Sequence, residues 1–403
     1  MAWHFHETES APSRPPAERT CGDPRPQRAE IRALTGLRGV AALLVALYHI
    51  NPNWIAPTAT GRFVGKGYLW VDLFFVLSGF LLAMNYARLF AGGWSLGAWL
   101  DFLLHRVARI YPLYVAMVLA SLAYSLALYG GVHAAAAPPP ALTLSEPARD
   151  VAANLLMVQS WGVGKSIDGV AWSLSTEWAA YLMFPLLVAL ALFGRPRAAL
   201  ATALGAAAVV GVTVTLTMRD GAYHSGPLDA YDGTTLEPLL RCLGGFVVGL
   251  LTFRLAQSRR AVAIAGHDLT IAAALGLLIA GLAAGVHDLL TYPLFALLVL
   301  GLFGNRGRVG RLFACWPVYW LGMVSYSIYL LHPYLVVPRS ALDARLHDLL
   351  PAPWSGLITA ATIYTVLFAA STLAYHGIEE PGRRWVRRMR QRYSPLARGI
   401  AAQ

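Results

Sequence analysis

The sequence predicts an all-α fold, a polytopic membrane helix bundle of about ten transmembrane helices with both termini cytoplasmic. Three observations carry that prediction. Apolar residues make up 57% of the 403-residue chain and charged residues only 13%, a balance outside the range of soluble globular domains. Ten stretches are long and apolar enough to cross a hydrocarbon core. The basic residues, finally, gather on alternate connections between those stretches.

The first 34 residues are polar, rich in Pro and Arg, and interrupted by Glu7, Glu9, Glu18 and Glu30. With neither an apolar core nor a small-residue cleavage site, they read as a disordered cytoplasmic tail and not as a signal peptide. A membrane domain follows over 35–378. Its apolar stretches fall near 35–51, 68–89, 103–129, 171–193, 198–217, 236–254, 268–286, 290–304, 316–337 and 356–376. The weaker stretch at 151–161 is too short to cross and reads as an external or re-entrant helix. Residues 379–403, with the run RRWVRRMRQR, form a basic cytoplasmic tail.

Placing the N-terminus inside puts 24 of the 32 basic residues in inner segments, whereas the outer loops carry Asp150, Asp168, Asp220, Asp229, Asp232, Asp288, Asp343 and Asp348. That asymmetry orients the chain in the inner (cytoplasmic) cell membrane. Topology and anionic lipid also account for the net charge of +11, so no nucleic-acid partner is implied. Cys21, Cys242 and Cys315 are scattered and suggest neither a disulfide framework nor a metal site.

Ionisable groups at membrane depth are costly and mark functional cavities. In GLRGVAALLVALYHI, Arg38 and His49 are eleven residues apart. They share one helix face about 16 Å apart along the axis. HRVARIYP puts Arg106 and Arg109 on one face at the start of the third helix. Paired guanidinium forks there suit a phosphate or pyrophosphate, although lipid-anchoring arginines fit the spacing equally well. VDLFFVLSGFLL places Asp72 near the outer boundary and Gly79 where helices can approach closely. AWSLSTEWAAYLMFP aligns Ser173, Glu177 and Tyr181 as a polar stripe near the depth of His49. A carboxylate beside an imidazole fixes its tautomer and raises its basicity, as a general base requires, but a purely structural His–Glu pair has the same pattern. SYSIYLLHPY aligns Tyr329 and His332, and Arg241 falls in the same layer.

In order and spacing, LTGLRGVAALLVALYHI, VDLFFVLSGFLL, HRVARIYPLY, WSLSTEWAAYLMFPLL, LGMVSYSIYLLHPYL and YHGIEEPGRR resemble the acyltransferase-3 family of bacterial membrane acyltransferases, over residues 31 to 388. The resemblance implies a membrane O-acyltransferase. Such an enzyme moves an acetyl or other short acyl group from acyl-CoA to a hydroxyl of a saccharide, glycolipid, peptidoglycan or antibiotic glycoside. The family's basic-x10-His motif falls on Arg38 and His49, and its Arg-x-x-Arg motif on Arg106 and Arg109. By that likeness Arg38, Arg106 and Arg109 hold the coenzyme A phosphates, His49 is the general base and Glu177 orients it. Asp72, Ser173, Arg241, Tyr329 and His332 supply the acceptor or oxyanion site. No metal and no permanently bound cofactor are expected; acyl-CoA, with acetyl-CoA foremost, is a co-substrate. The remaining partners are a carbohydrate or glycoside acceptor and the bilayer, with the oligomeric state left open. The chain would act without a fused hydrolase-like domain. The competing class is a proton-coupled transporter or flippase of an anionic or glycosylated solute, with His49, Glu177 and His332 relaying protons.

Cysteine labelling from outside intact cells is expected to reach probes in 131–168 and 219–234 and to miss those in 194–198, 305–312 and the C-terminal tail. External labelling of the tail would require an odd number of crossings and defeat the orientation.

Overall fold

The computed structural model describes residues 31–51, 55, 57–131, 147–220 and 225–393, and every regular element among them is helical. The expected N-terminal tail lies almost wholly outside the described residues. Fourteen helices are labelled here: α1 (Arg32–Ile50), α2 (Trp70–Tyr86), α3 (Leu96–Gly131), α4 (Pro147–Leu155), α5 (Trp172–Leu182), α6 (Pro196–Asp220), α7 (Glu237–Leu255), α8 (Asp268–Ala284), α9 (Thr291–Gly304), α10 (Trp316–Met323), α11 (Ser325–Leu331), α12 (Val336–His347), α13 (Ala352–Ala374) and α14 (Glu380–Tyr393). Short helices such as Ala59–Gly65 and Arg259–Ala265 link them.

Six helical stretches are long and apolar enough to cross a membrane singly, and four pairs do so together across bends of 56° to 92°. Counting each bent pair as one span gives ten, matching the stretches read from the sequence. The doubtful 151–161 segment adds none, because α4 has only nine residues and ends at Leu155. One of the bends separates α5 from Phe184–Phe193. It precedes Pro185, which cannot donate the hydrogen bond a continuous helix needs there.

The bundle is held together by close helix crossings at glycine. Helix α1 buries Leu34, Leu37, Ala41 and Val45 at helical spacing. Its Gly39 lies against the backbone of Leu321 and Gly322 in α10. In α2, Gly79 faces the Phe246 carbonyl of α7, and Gly249 of α7 faces the Val76 carbonyl of α2 in return. A Cβ at either position would strike main chain, so only glycine allows this approach. Aromatic rings close around the crossing, with Phe80 edge-on to Phe253 at 5.6 Å between centroids.

After α13 the chain makes a π-turn at Tyr375–Glu379 and continues as α14. The segment expected as a basic tail is thus helical through Tyr393, and its Gly382 sits directly on Pro112 of α3. Pro112 leaves the 36-residue α3 uninterrupted, and its ring becomes the docking point for the C-terminal helix.

Replacing Gly79 by Leu is expected to cost about 1–3 kcal/mol through overpacking. Gly92→Ala is the control, since nothing lies within 4 Å of a Cβ there. Thermal unfolding in detergent checks both; equal stability of the two variants would mean the α2–α7 crossing can part freely.

Candidate active site

A cavity of about 480 Å³ opens between α1, α2, α3, α5, α11 and α14. One end is strongly basic. It brings together Arg38, Arg106 and Arg109, the three predicted arginines, and adds Arg383 from α14. Arg38 is fixed by bonds from Nε to Ser325 Oγ (3.0 Å) and from Nη2 to the Gly322 carbonyl (2.7 Å). That carbonyl belongs to the last turn of α10, where the helix dipole favours a cation. Arg106 donates from Nη2 to the Tyr86 hydroxyl at 2.6 Å and stacks 4.8 Å over the Tyr86 ring, which leaves its buried Nε without a partner.

Glu379 is the counter-charge, 2% exposed and buried among these arginines. It accepts from Ser327 Oγ (3.2 Å) and pairs with Arg383 (3.1 Å). The π-turn matters here, because it brings both Tyr375 and Glu379 to the cavity wall, with Arg383 one turn beyond. Four arginines against Glu379 leave this end cationic, suited to a polyanion. Glu379 and Arg383 were not singled out by the sequence reading, which used HGIEEPGRR only as a family marker. A carboxylate closing a 23-residue apolar helix was the available signal.

The wall above is formed by the predicted stripe. Ser173, Glu177 and Tyr181 all line the cavity, and Glu177 accepts from Ser78 Oγ of α2. Ser173 Oγ lies 2.7 Å from the Tyr329 hydroxyl, which also donates to the Val170 carbonyl at 3.0 Å. Beyond Tyr329 stands His332, fully buried, its ring centroid 5.9 Å from that of Tyr329. His49 comes next: its Nδ1 is 3.2 Å from Nε2 of His332 and 3.0 Å from the Val45 carbonyl. His49 is half-buried and does not itself line the cavity. Among the described residues no hydrogen bond joins Glu177 to His49. Instead, α5 turns Glu177 toward α2 and into the cavity, and the ring nitrogen that faces His49 Nδ1 belongs to His332.

Asp72 and Arg241 do not reach the cavity either. They form a bidentate pair with both side chains fully buried, Nε to Oδ1 at 3.0 Å and Nη2 to Oδ2 at 2.7 Å. Two further donors of Arg241 go to the carbonyls of Ala230 (3.2 Å) and Tyr68 (2.9 Å), and Tyr292 donates to Asp72 at 2.7 Å. Pairing is the only way two opposite charges persist in an apolar bundle, so each consumes the other's capacity to meet a substrate. The pair ties α2 to α7.

Outside the spans, Asp168 precedes the start of α5. It is 2% exposed, Oδ2 lacks a partner, and burial pushes its carboxyl up to about 7. An unfolded Asp releases its proton near pH 4, so folding loses stability as pH rises from about 4 to 7. Asp168→Asn is expected to raise Tm at pH 8 more than at pH 5; an equal change at both would mean Asp168 keeps an ordinary carboxylate. For the buried pair, Arg241→Met alone is expected to cost about 3–5 kcal/mol by stranding Asp72, with much of it recovered in the double variant Asp72→Leu/Arg241→Met. Thermal unfolding of both in detergent checks this.

A family model described as an acyltransferase domain matches residues 31–375. Peptidoglycan O-acetyltransferase OatA of Listeria monocytogenes is 23% identical over 383 residues, covering 89% of this chain and 57% of that protein. Acyltransferase MdmB of Streptomyces mycarofaciens is 33% identical over 170 residues, 40% of each chain. O-acetyltransferase OatA of Staphylococcus aureus is 25% identical over 165 residues, 38% of this chain and 24% of its own length. The chain spans about half the length of the first curated relatives it matches. No solved structure matches it. The matched model covers the helices that build the cavity from α1 to the start of the π-turn, and on that extent the chain belongs to the acyltransferase-3 family.

Proposed function

We propose that the chain is a membrane O-acetyltransferase that takes its acyl group from acyl-CoA and delivers it to a hydroxyl of a saccharide. The observation that carries this reading is one cavity with arginines at one end and Ser173 and Tyr329 on its wall, behind which His332 and His49 stand in contact. Arg106 and Arg109, flanked by Arg38 and Arg383, receive the coenzyme A phosphates through charge-assisted bonds. The pantetheine arm follows the apolar wall of Phe74, Leu77 and Leu81 toward Ser173 and Tyr329. The rise of about 16 Å between Arg38 and His49 suits a donor held by its charged end while its thioester reacts at the other.

In this reading His49 takes the proton of the acceptor hydroxyl as that oxygen attacks the thioester carbon. The C–S bond breaks, and the proton passes to the departing thiolate. In the same reading the Tyr329 and Ser173 hydroxyls turn from the Val170 carbonyl and each other to donate to the developing oxyanion. The acceptor approaches the half-buried edge of His49 from the side opposite the arginines. The likeness to the peptidoglycan O-acetyltransferase of Listeria supports a cell-wall glycan as acceptor, and an antibiotic glycoside is the other class the sequence suggested. With the arginine end cytosolic, the enzyme spans the cytoplasmic membrane and acylates on its outer side.

Purified protein in detergent, given acetyl-CoA and a hydroxyl-bearing peptidoglycan fragment, is expected to release free coenzyme A. His49→Ala should abolish release while donor binding persists, since the lost interaction belongs to the transition state. Arg109→Ala should weaken donor binding by about 10- to 100-fold, the worth of a charged hydrogen bond. Retained turnover in His49→Ala would overturn the base. Absent thioester consumption alongside solute flux in proteoliposomes would favour a transporter.

A further inference from the structure

We propose that His332 is the positioning residue for His49: it holds the His49 ring as the Nδ1–H tautomer and so leaves Nε2 as the basic nitrogen. The inference rests on the reading of His49 as the base and goes beyond it by assigning the proton on each ring atom.

The assignment follows from what each neighbouring atom can do. His332 Nδ1 lies 3.3 Å from the Ile328 carbonyl, one turn back in α11. A carbonyl only accepts, so that nitrogen carries hydrogen and, in a neutral ring, Nε2 carries the lone pair. His332 Nε2 faces His49 Nδ1 at 3.2 Å. The other neighbour of His49 Nδ1 is the Val45 carbonyl at 3.0 Å, again an acceptor. Both neighbours therefore require hydrogen on His49 Nδ1, and Nε2 is left bare. The hydrogen bonds run one way, from His49 to His332 to the α11 main chain.

This direction matches the chemistry. When Nε2 of His49 takes the hydroxyl proton, the ring becomes cationic and Nδ1–H becomes a stronger donor. His332 Nε2 is already aligned to accept from it. A neutral imidazole does this without adding a second charge to the bundle, as a carboxylate would in the free state. His332 is able to hold one pose because it is fully buried and begins the tight turn His332–Leu335, fixed by Pro333. Its ring sits 5.0 Å from that of His49 at a 42° tilt, so the two rings pack against each other.

The test compares three replacements at 332 in the full-length protein. Gln places an acceptor oxygen where Nε2 stood, Asn reaches only the Ile328 carbonyl, and Leu fills the volume with neither. His332→Leu and His332→Asn are expected to lose kcat by about a hundredfold, the scale of impaired general-base catalysis, with KM for acetyl-CoA unchanged. His332→Gln should recover most of that loss. If His49→Ala is inactive while His332→Leu turns over normally, or if Gln is no better than Leu, the positioning role is overturned and the base assignment stands. Activity in His49→Ala would instead overturn the base itself. Nitrogen-15 histidine spectra of the wild-type protein test the tautomer without any variant: an unprotonated His49 Nε2 is expected, and a protonated one overturns the proposal.

Discussion

A charge inside an apolar bundle has to be satisfied by the protein itself, because hydrocarbon offers no water to do it. The bidentate Asp72–Arg241 pair shows that rule in its closed form. Every nitrogen of the guanidinium is engaged, and the pair clamps α2 against α7 at the crossing that Gly79 and Gly249 make possible. The arginines of the cavity stand in a different setting: Arg38 and Arg106 are each held by protein groups and also line an open space. The enclosed pair acts as a brace, and the arginines on the cavity wall keep a face toward open space.

The two settings depend on each other. Close approach of α2 and α7, and of α1 and α10, sets the walls of the cavity and lets Arg38 reach the end of α10. Held there, Arg38 cannot swing away to lipid, and its distance to His49 on the same rigid helix is fixed. The π-turn before α14 completes the basic end by presenting Glu379 and Arg383 from a segment that would otherwise trail into solvent. Glu379 limits the mutual repulsion of the arginines without neutralising them.

The far end of the cavity and the histidines behind it are held differently, by hydroxyl and imidazole contacts. Ser173 and Tyr329 share a contact of 2.7 Å, and His332 and His49 one of 3.2 Å. Charge is thus concentrated at one end, and hydroxyls and imidazoles lie toward the other. Loose coupling between the two would follow if they sat on mobile loops. Here both are carried largely by helices that cross at fixed points.

Much of this was legible in the sequence. Long apolar stretches dictate helices, because a backbone in hydrocarbon must satisfy its own hydrogen bonds, and ten such stretches were countable. Arg38 and His49 shared a face by periodicity alone, and the Arg106–Arg109 and Ser173–Glu177 spacings placed each pair on a common side. Periodicity, however, says which way a side chain points from its own helix and nothing about what another helix puts opposite. That is why Glu177, expected beside His49, faces Ser78, and why His332 stands in its place. It is also why Asp72 and Arg241, 169 residues apart, were assigned to a substrate site when they satisfy each other. The sequence by itself determined the helices, their faces and the charges each face carries; the tertiary structure alone decided the partners, because a buried charge or hydrogen-bond donor takes its role from the group that crossing helices bring within about 3 Å of it.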